Sequence, residues 1–548
     1  GGGIMFKKRS LVMIISLFVM LTFSCSLLCG CKDDEKTKEV GKTEGKKTAD
    51  VIKLAGGDYG YLTPYTHYAR GPGIFKMRLI FDSLLERDEK GYINWLAEKY
   101  EIKENGKQYL FTIRDGVKWH DGKPLTAEDV KFSFEYACEH PMVSSTISKN
   151  DIDKVEITGD RQVLVTVKKP SAVMLSNIGT SRIIPKHIWE KIDNPKEFLE
   201  KEAVIGCGPY VLTDYSKEHG TYRLEAFEGY WGPKQRVKAI EFIPVSEGIL
   251  AFEQGEVDMT GVTPDVLQRF KKDPECKIVQ APAFWGYRML FNMGETPIFQ
   301  QKELRQAFCY AMDKQDMVDK VQRGAGVPGC AGILPPDHVM YNSKAKQYDY
   351  DPKKAEELLV KLGYDNLENG VRINSKGEKL SFNLLVGGEV RLAEVFKEHL
   401  GKVGIEINVQ SVDGKTRDSR VQDNKYQLAI TGHGGWGNDA DYLRERFSSE
   451  TKAGGGVGGI SPNLTRFKGY NNPELSKLLE KQFVTIDEKK RKEQIFKAQE
   501  LLAKDVPEIP IFYTTGYTVY KPAKYDGWMF MFDHHSLQHS KLSYLERN

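Results

Sequence analysis

A glycine-rich stretch, residues 432–442, holds the side chains best suited to chemistry in this chain. It carries two carboxylates, Asp439 and Asp441, together with an indole, Trp436, and an imidazole, His433. Glycine lets a backbone come close to a ligand, and a carboxylate there can accept charge-assisted hydrogen bonds. The stretch therefore suits ligand recognition. The alternative is structural, because both carboxylates precede Tyr442 and can cap a helix that begins there.

Three of the eleven histidines, His534, His535 and His539, lie close together near the C-terminus. His535 and His539 are four residues apart, so a helix would align them, and imidazoles suit nickel. The other interpretation is a terminal surface segment. Neither paired CxxC motifs nor an HExxH motif occurs. We predict no metal site, with these three histidines as the alternative ligand set.

Residues 324–329, GAGVPG, spell a G-x-G-x-x-G pattern. A dinucleotide-binding loop needs this pattern at the end of a strand, whereas here it follows a helical pattern. No cofactor is predicted.

Periodic segments flank the 432–442 stretch and would position it. Residues 426–430 alternate as a strand that leads into it, and residues 380–409 have the pattern of a strand, a helix and a strand. Apolar spacing predicts helices near residues 304–312 and 487–505, and Asp351 with Pro352 marks the start of another. Strands that alternate with helices predict an α/β chain.

The most informative segment is residues 109–136. Residues 109–113 alternate as a strand, turn dipeptides follow at 115–116 and 121–122, and Thr126 with Asp129 suits a helix capping box. Together with GCGPY at 206–210 and EGILAFEQGEVD at 247–258, this segment resembles the signature of extracytoplasmic solute-binding proteins that serve peptide and nickel ABC importers. The likeness covers essentially the whole mature chain.

The resemblance implies a type II periplasmic-binding-protein-like fold, an α/β chain of two lobes with mixed sheets, flanking helices and the second lobe inserted into the first. The first lobe is expected at residues 51–285 and 512–548, with an extra subdomain at roughly 78–200. The second lobe is expected at residues 286–511. Residues 287–292 and 509–513 are the expected hinge strands for closure of the lobes on a ligand.

The resemblance also implies a set of ligand-binding residues. In the peptide-binding branch of the family, an aspartate shortly after a tryptophan pairs with the α-amino group of the ligand. Asp439 matches that position best and Asp441 second. The other residues expected to contact the ligand are Trp436, Trp285, Tyr59 and Tyr61 as aromatic walls, with Tyr287 and His433 beside them.

The N-terminal region has the pattern of a secretory signal. An apolar run follows three basic residues and ends directly before Cys31, which resembles a lipobox with Cys31 as the lipidated residue. The alternative is an uncleaved transmembrane anchor. Residues 1–31 are thus predicted as signal and residues 32–50, which are charged, as a flexible tether. The expected location is extracytoplasmic, with a lipid anchor in the cell membrane.

The charge balance, 79 Lys and Arg against 76 Asp and Glu, argues against a nucleic-acid partner. We predict a monomeric, non-enzymatic binding protein that delivers short peptides to the permease and ATPase subunits of an ABC importer. The alternative ligand is a nickel chelate. A third hypothesis, an extracellular peptide hydrolase, lacks any nucleophile-elbow or metalloprotease motif.

Overall fold

The computed structural model describes residues 45–67, 73–143, 145, 147–434, 436–437, 439–450 and 469–547. The predicted signal, Cys31 and most of the predicted tether lie outside the described residues. The first strand begins at Ala49, inside the segment predicted to be a tether. No helix among the described residues is long and apolar enough to cross a membrane.

The N-terminal half of the described chain contains twelve strands and six helices. The strands are β1 (Ala49–Gly56), β2 (Leu85–Arg87), β3 (Tyr92–Asn94), β4 (Ala97–Lys103), β5 (Gln108–Ile113), β6 (Ile152–Gly159), β7 (Gln162–Val167), β8 (Tyr210–Ser216), β9 (Thr221–Ala226), β10 (Val237–Pro244), β11 (Met259–Val262) and β12 (Lys277–Gln280). The helices are α1 (Gly73–Met77), α2 (Ala127–Glu139), α3 (Met174–Gly179), α4 (Lys186–Trp189), α5 (Gly248–Glu253) and α6 (Pro264–Lys271).

The remaining elements follow from Trp285 onward. The strands are β13 (Trp285–Phe291), β14 (Gly326–Pro328), β15 (Asn366–Glu368), β16 (Val371–Ile373), β17 (Ser381–Val386), β18 (Glu406–Ser411), β19 (Leu428–His433), β20 (Glu508–Thr514) and β21 (Tyr517–Tyr520). The helices are α7 (Lys302–Ala311), α8 (Lys314–Gln322), α9 (Pro352–Lys361), α10 (Val390–Gly401), α11 (Gly414–Gln422), α12 (Tyr442–Phe447), α13 (Pro473–Phe483) and α14 (Glu488–Asp505). Short 3-10 turns follow at Leu537–His539 and Lys541–Tyr544.

Three sheets of three or four strands are built around the N-terminal half, besides the β2-β3 pair. The first has the order β1-β10-β9-β8, with β1 parallel to β10. The second, β4-β5-β7-β6, is antiparallel and lies within the segment predicted as an extra subdomain. In the third, the C-terminal strand β21 lies between β11 and β12. The end of the chain therefore returns to the part built by its beginning.

A six-stranded sheet of order β14-β20-β13-β19-β17-β18 organises the segment between β12 and β21. β13 is antiparallel to both of its neighbours, whereas β17 is parallel to both of its own. The sheet is therefore mixed. Helix α10 contacts both α7 and α8, and α8 packs on β14 and β20.

Two hydrophobic cores show how the lobes are divided. One cluster draws all of its buried members from residues 283–513. The other draws its members from residues 49–259 and 520–544. The segment with the six-stranded sheet is thus inserted into a lobe made from both ends of the described chain. This is the architecture that the resemblance implied.

The chain crosses between the two cores at residues 281–284 and again at 515–516, which connect β12 to β13 and β20 to β21. The expectation that residues 287–292 and 509–513 are hinge strands stays a prediction. They belong to β13 and β20, each of which is paired with a neighbouring strand on both sides.

Local signals in the sequence are confirmed where the partners are close in the chain. Thr126 and Asp129 form the predicted capping box at the start of α2, and the Asp129 carboxylate accepts a hydrogen bond of 2.8 Å from the Thr126 N–H. Asp351 likewise caps α9 by accepting from the Lys354 N–H at 3.0 Å. The five described cysteines are unpaired and four are buried, as expected of packed small residues.

A buried charge cluster fixes the second lobe beneath the 432–442 stretch. Glu508 of β20 accepts two hydrogen bonds from Arg446 of α12, at 2.8 and 2.5 Å, and lies 3.4 Å from Nη1 of Arg288 of β13. All three side chains are 0% exposed. Arg288 also donates to the Tyr442 hydroxyl at 2.5 Å. The cluster therefore ties α12 to β13 and β20.

Candidate ligand-binding site

Two cavities flank the connections between the lobes, and both are lined by Ala281 and Pro282. The first, of about 500 Å³, is lined by residues 530–534 of the first lobe and by Val327, Asp337 and Val339 of the second. The second, of about 460 Å³, is lined by β11 and β21 residues and by Trp285. Each volume falls within the range of roughly 300–1,000 Å³ typical of ligand pockets.

Asp439 lies on the loop between β19 and α12, and its side chain is 42% exposed. Arg491 of α14 donates to both carboxylate oxygens, one at 3.0 Å, and the Asp441 N–H donates to Oδ1 at 2.8 Å. Burial would raise the pKa of Asp439, but the Arg491 hydrogen bonds and charge hold it below its usual value. A carboxylate offers about four acceptor positions, so one remains for a ligand.

The loop before Asp439 packs against two residues that line the first cavity. A Cβ added to Gly437 would lie 2.7 Å from the Phe284 ring and 2.8 Å from the Asp533 carbonyl oxygen. Both residues line the first cavity. Only glycine fits here, which places the Asp439 loop of the second lobe against the C-terminal segment of the first.

The carboxylate of Asp441, the second candidate anchor, is paired within the second lobe. Asp441 is 6% exposed. Its carboxylate accepts two hydrogen bonds of 2.7 Å from Arg444 and one of 2.7 Å from Gln482. The buried partners leave it a structural role, and its side chain does not cap α12 either.

Trp436 and His433 were expected in the cleft, and both are buried in the second lobe. Trp436 is 0% exposed and packs edge-on against Tyr513. His433 is 7% exposed and stacks on Tyr442. Burial keeps the His433 pKa well below its usual value, so the imidazole is neutral. Neither residue lines either cavity, so their contact with a ligand stays a prediction.

The remaining aromatic residues are divided between the cleft and its surroundings. Trp285 is 39% exposed and lines the second cavity. Tyr287 packs edge-on against the Trp285 ring. Tyr59 and Tyr61 are half-buried in the first lobe, where the Tyr222 hydroxyl accepts from the Tyr59 N–H at 2.8 Å and Tyr61 packs against Tyr215. Neither of these two tyrosines lines either cavity.

The C-terminal histidines do not form the predicted alternative metal set. His534 and His539 stack on each other with Nε2 and Nδ1 2.6 Å apart, and Phe75 stacks on His539. The segment forms a short 3-10 turn, so no α-helix aligns His535 with His539. Within the described ranges, no three His, Cys, Asp or Glu side chains converge as metal ligands would.

Sequence reasoning missed three carboxylates that line the first cavity, those of Glu89, Asp337 and Asp533. Asp337 accepts a hydrogen bond of 2.7 Å from the Ala283 N–H in the crossing connection. Burial raises the pKa of Asp533 to about 7, although Arg87 opposes the rise. The three lie far apart in the chain, so no local pattern could have predicted that they share a cavity.

Two lobes around junction cavities, joined by two short connections, define a solute-binding protein of the periplasmic type. Residues 91–455 match the sequence profile of the bacterial extracellular solute-binding proteins, family 5, in its middle region. The chain belongs to this family. It is therefore an extracytoplasmic solute-binding component of the kind used by ABC importers.

Known relatives of the chain differ in the ligands after which they are named. The chain is 26% identical over 461 residues to heme-binding protein A of Haemophilus influenzae, covering 78% of this chain and 80% of that protein. It is 26% identical over 456 residues to the dipeptide-binding protein of Escherichia coli, covering 78% and 82%. The crystal structure of NikA from Brucella suis with Fe(III)-EDTA has a TM-score of 0.74 at 20% identity and covers 89% and 99%. The structural likeness shows the shared fold.

Proposed function

We propose that the protein captures short peptides between its two lobes, with Asp439 as the acceptor for the free amino terminus. The supporting observation is the placement of Asp439: a 42% exposed carboxylate at the end of the six-stranded sheet. The loop that carries it abuts residues lining a cavity of about 500 Å³. The dipeptide-binding relative is consistent with this class of ligand.

Arg491 holds the carboxylate in place for this role. It is 6% exposed, and its Nε donates to Gln482 at 3.0 Å while its other nitrogens hold Asp439. The carboxylate is thus charged and oriented before a ligand arrives, which lowers the entropic cost of binding. A ligand ammonium would add one more charge-assisted hydrogen bond to the exposed side.

The test is isothermal titration calorimetry of two proteins with two peptides. The proteins are the parent and Asp439→Asn, and the peptides are trialanine with a free and with an acetylated amino terminus. Loss of one hydrogen bond between charged groups lowers affinity by about 10- to 100-fold. We expect that loss for the free peptide in Asp439→Asn, for the acetylated peptide in the parent, and little further loss when both changes are combined.

The four-way comparison separates contact from damage to the fold. Asp439→Asn also disturbs Arg491, but that disturbance weakens both peptides alike. The exposed Asp349→Asn is the matched control and should bind as the parent does. If acetylation and Asp439→Asn have additive effects, the two groups do not touch and the assignment of Asp439 is refuted.

We propose further that Cys31 carries a lipid anchor and that the protein passes intact peptides to a permease and ATPase. The apolar run that ends directly before Cys31 and the polar segment that follows it support the anchor. A diacylated cysteine supplies the two acyl chains needed for stable attachment to a membrane. Cys31→Ser should release the protein from membranes or leave its precursor unprocessed. A panel of peptides incubated with the protein should be recovered uncleaved, which tests the hydrolase hypothesis. Nickel in the purified protein would instead favour the nickel-chelate alternative.

A further inference from the structure

The first cavity has an unbalanced charge. Glu89, Asp337 and Asp533 line it, and its lining includes neither lysine nor arginine. The imidazole in the lining, His534, does not restore the balance, because burial holds its pKa well below its usual value and keeps it neutral. A ligand that fills this cavity therefore meets carboxylates without matching cations from the lining.

Asp533 is a carboxylate in this lining that has no partner among the described residues. Among the described residues, none donates a hydrogen bond to its side chain or forms an ion pair with it. The Arg87 charge acts on it without reaching ion-pair distance. The backbone at Asp533 adopts the left-handed conformation, with φ of 60°. Two backbone hydrogen bonds hold this turn. The Phe532 N–H donates to the Asp88 carbonyl oxygen at 2.6 Å, and the His534 N–H donates to the Met531 carbonyl oxygen at 3.0 Å.

A second polar group in the lining also lacks a partner. Thr515 lies in the connection between β20 and β21, is 7% exposed, and its hydroxyl has no hydrogen-bond partner in the described part of the chain. Buried polar groups without partners are rare in folded proteins, and functional sites are among the explanations. Thr515 and Asp533 thus supply unused acceptor positions to one cavity from two separate segments.

The rest of the lining is apolar and suits an aliphatic stem. Phe284, Phe530 and Met531 contribute walls from both sides of the connection, and Val339 is 50% exposed at the rim. Long basic side chains bury their methylene groups along apolar surface while the charged head meets a polar partner. A cavity with apolar walls and an open carboxylate matches that shape of side chain.

We infer that the first cavity takes the lysine or arginine side chain of a bound peptide, with Asp533 as the acceptor for its charged group. This rests on the proposed function, since Asp439 holds the amino terminus. It assigns this protein a preference for basic peptides and gives each lobe one carboxylate for the ligand. Glutamate-containing peptides are disfavoured by the same charges.

The test measures a preference as well as binding. Calorimetry compares trialanine with tripeptides in which each alanine in turn is replaced by lysine, norleucine or glutamate. Norleucine keeps the aliphatic stem and removes the charge. At one position, lysine should bind about 10- to 100-fold more tightly than norleucine, which is the loss expected for one hydrogen bond between charged groups. Glutamate should bind most weakly there.

Asp533→Asn then assigns the preference to one residue. Asparagine tolerates the left-handed conformation and keeps the shape of the side chain. The variant should lose the preference for lysine over norleucine, to less than about threefold. Asp349→Asn, on the surface, should keep the full preference.

The outcomes separate this inference from the proposed function. If tripeptides bind but lysine and norleucine are equal at every position, the basic preference is refuted and the proposed function stands. If the preference survives in Asp533→Asn, the acceptor role of Asp533 is refuted. If no tripeptide binds the parent protein, the proposed function fails and this inference fails with it.

Discussion

Three aspartates near the cleft differ because of their neighbours. Asp441 is enclosed by Arg444 and Gln482 and acts as a structural ion pair. Asp439 shares its charge with Arg491 yet keeps an exposed side. Asp533 is desolvated without a hydrogen-bonded partner among the described residues, so its charge destabilises the folded protein. Such destabilisation is common where a site is kept ready for a ligand.

The stability of the protein should report the state of Asp533. Because burial raises the pKa of Asp533 to about 7 from 3.8, the folded state favours the protonated carboxyl. The resulting cost is absent below about pH 4, grows as the pH rises between these values, and is complete above about pH 7. Arg87, Tyr92 and Asp439 are the charged or titratable groups whose fields reach this carboxyl.

We therefore expect Asp533→Asn to raise the melting temperature at pH 8 by a few degrees. The corresponding gain in the free energy of unfolding has an upper limit of about 4 kcal/mol for a pKa shift of this size. Contact of the side chain with solvent reduces the effect below that limit. The two proteins should melt together at pH 4. Thermal unfolding followed by circular dichroism at both pH values provides the measurement. A variant that is less stable than the parent at pH 8 contradicts the raised pKa.

At the scale of elements, the Asp439 loop is positioned from both sides. α14 holds it through Arg491, and α12 is tied to β13 and β20 through the Arg288, Arg446 and Glu508 cluster. The cluster has two guanidinium groups and one carboxylate, all buried. Removing the carboxylate leaves two buried cations without their counter-ion, whereas the shape of the core barely changes.

Glu508→Gln should therefore lower the free energy of unfolding by about 3–5 kcal/mol, the range for breaking a buried ion pair. Urea denaturation at pH 7 provides the measurement. The matched control is Glu493→Gln on the exposed face of α14, which should change stability by less than about 0.5 kcal/mol. Equal stabilities of the two variants would show that the ion pairs of Glu508 do not stabilise the folded protein.

The elements that the sequence predicted correctly have their determinants close together in the chain. The Thr126 and Asp129 capping box spans three residues, and the apolar spacing of α14 repeats every turn. The partner of Asp439, in contrast, lies 52 residues later, and nothing local marks it. The burial of Trp436 and His433 could not be predicted for the same reason, since an aromatic residue has the same local pattern whether it lines a cleft or packs beneath it.

At the scale of the whole molecule, two cores are joined by two short connections with the cavities beside them. Buried histidines occur in both lobes. Burial lowers the pKa of six described histidines. They are His67 (to about 4), His120 (to about 4), His539 (to about 3), His433, His534 and His535.

These histidines predict that the protein loses stability as the pH falls below about 6.5. The unfolded chain takes up protons near that value, whereas the folded state resists protonation down to pH 4 or below at His67 and His120. The unfolded state therefore binds more protons, and stability rises with pH across this window. Asp533, whose pKa is raised, acts in the opposite sense and offsets about one proton.

Unfolding at pH 5.5 should therefore take up protons, and each proton taken up lowers the free energy of unfolding by about 1.4 kcal/mol for each unit by which the pH falls. Urea denaturation at pH 7.0, 6.0 and 5.0 measures the slope. His120→Gln should reduce it by about one proton, because glutamine cannot titrate. His219→Gln, at an exposed position, should leave the slope as it is in the parent. A stability that stays constant or increases toward pH 5 would show that the buried imidazoles are already protonated in the folded protein.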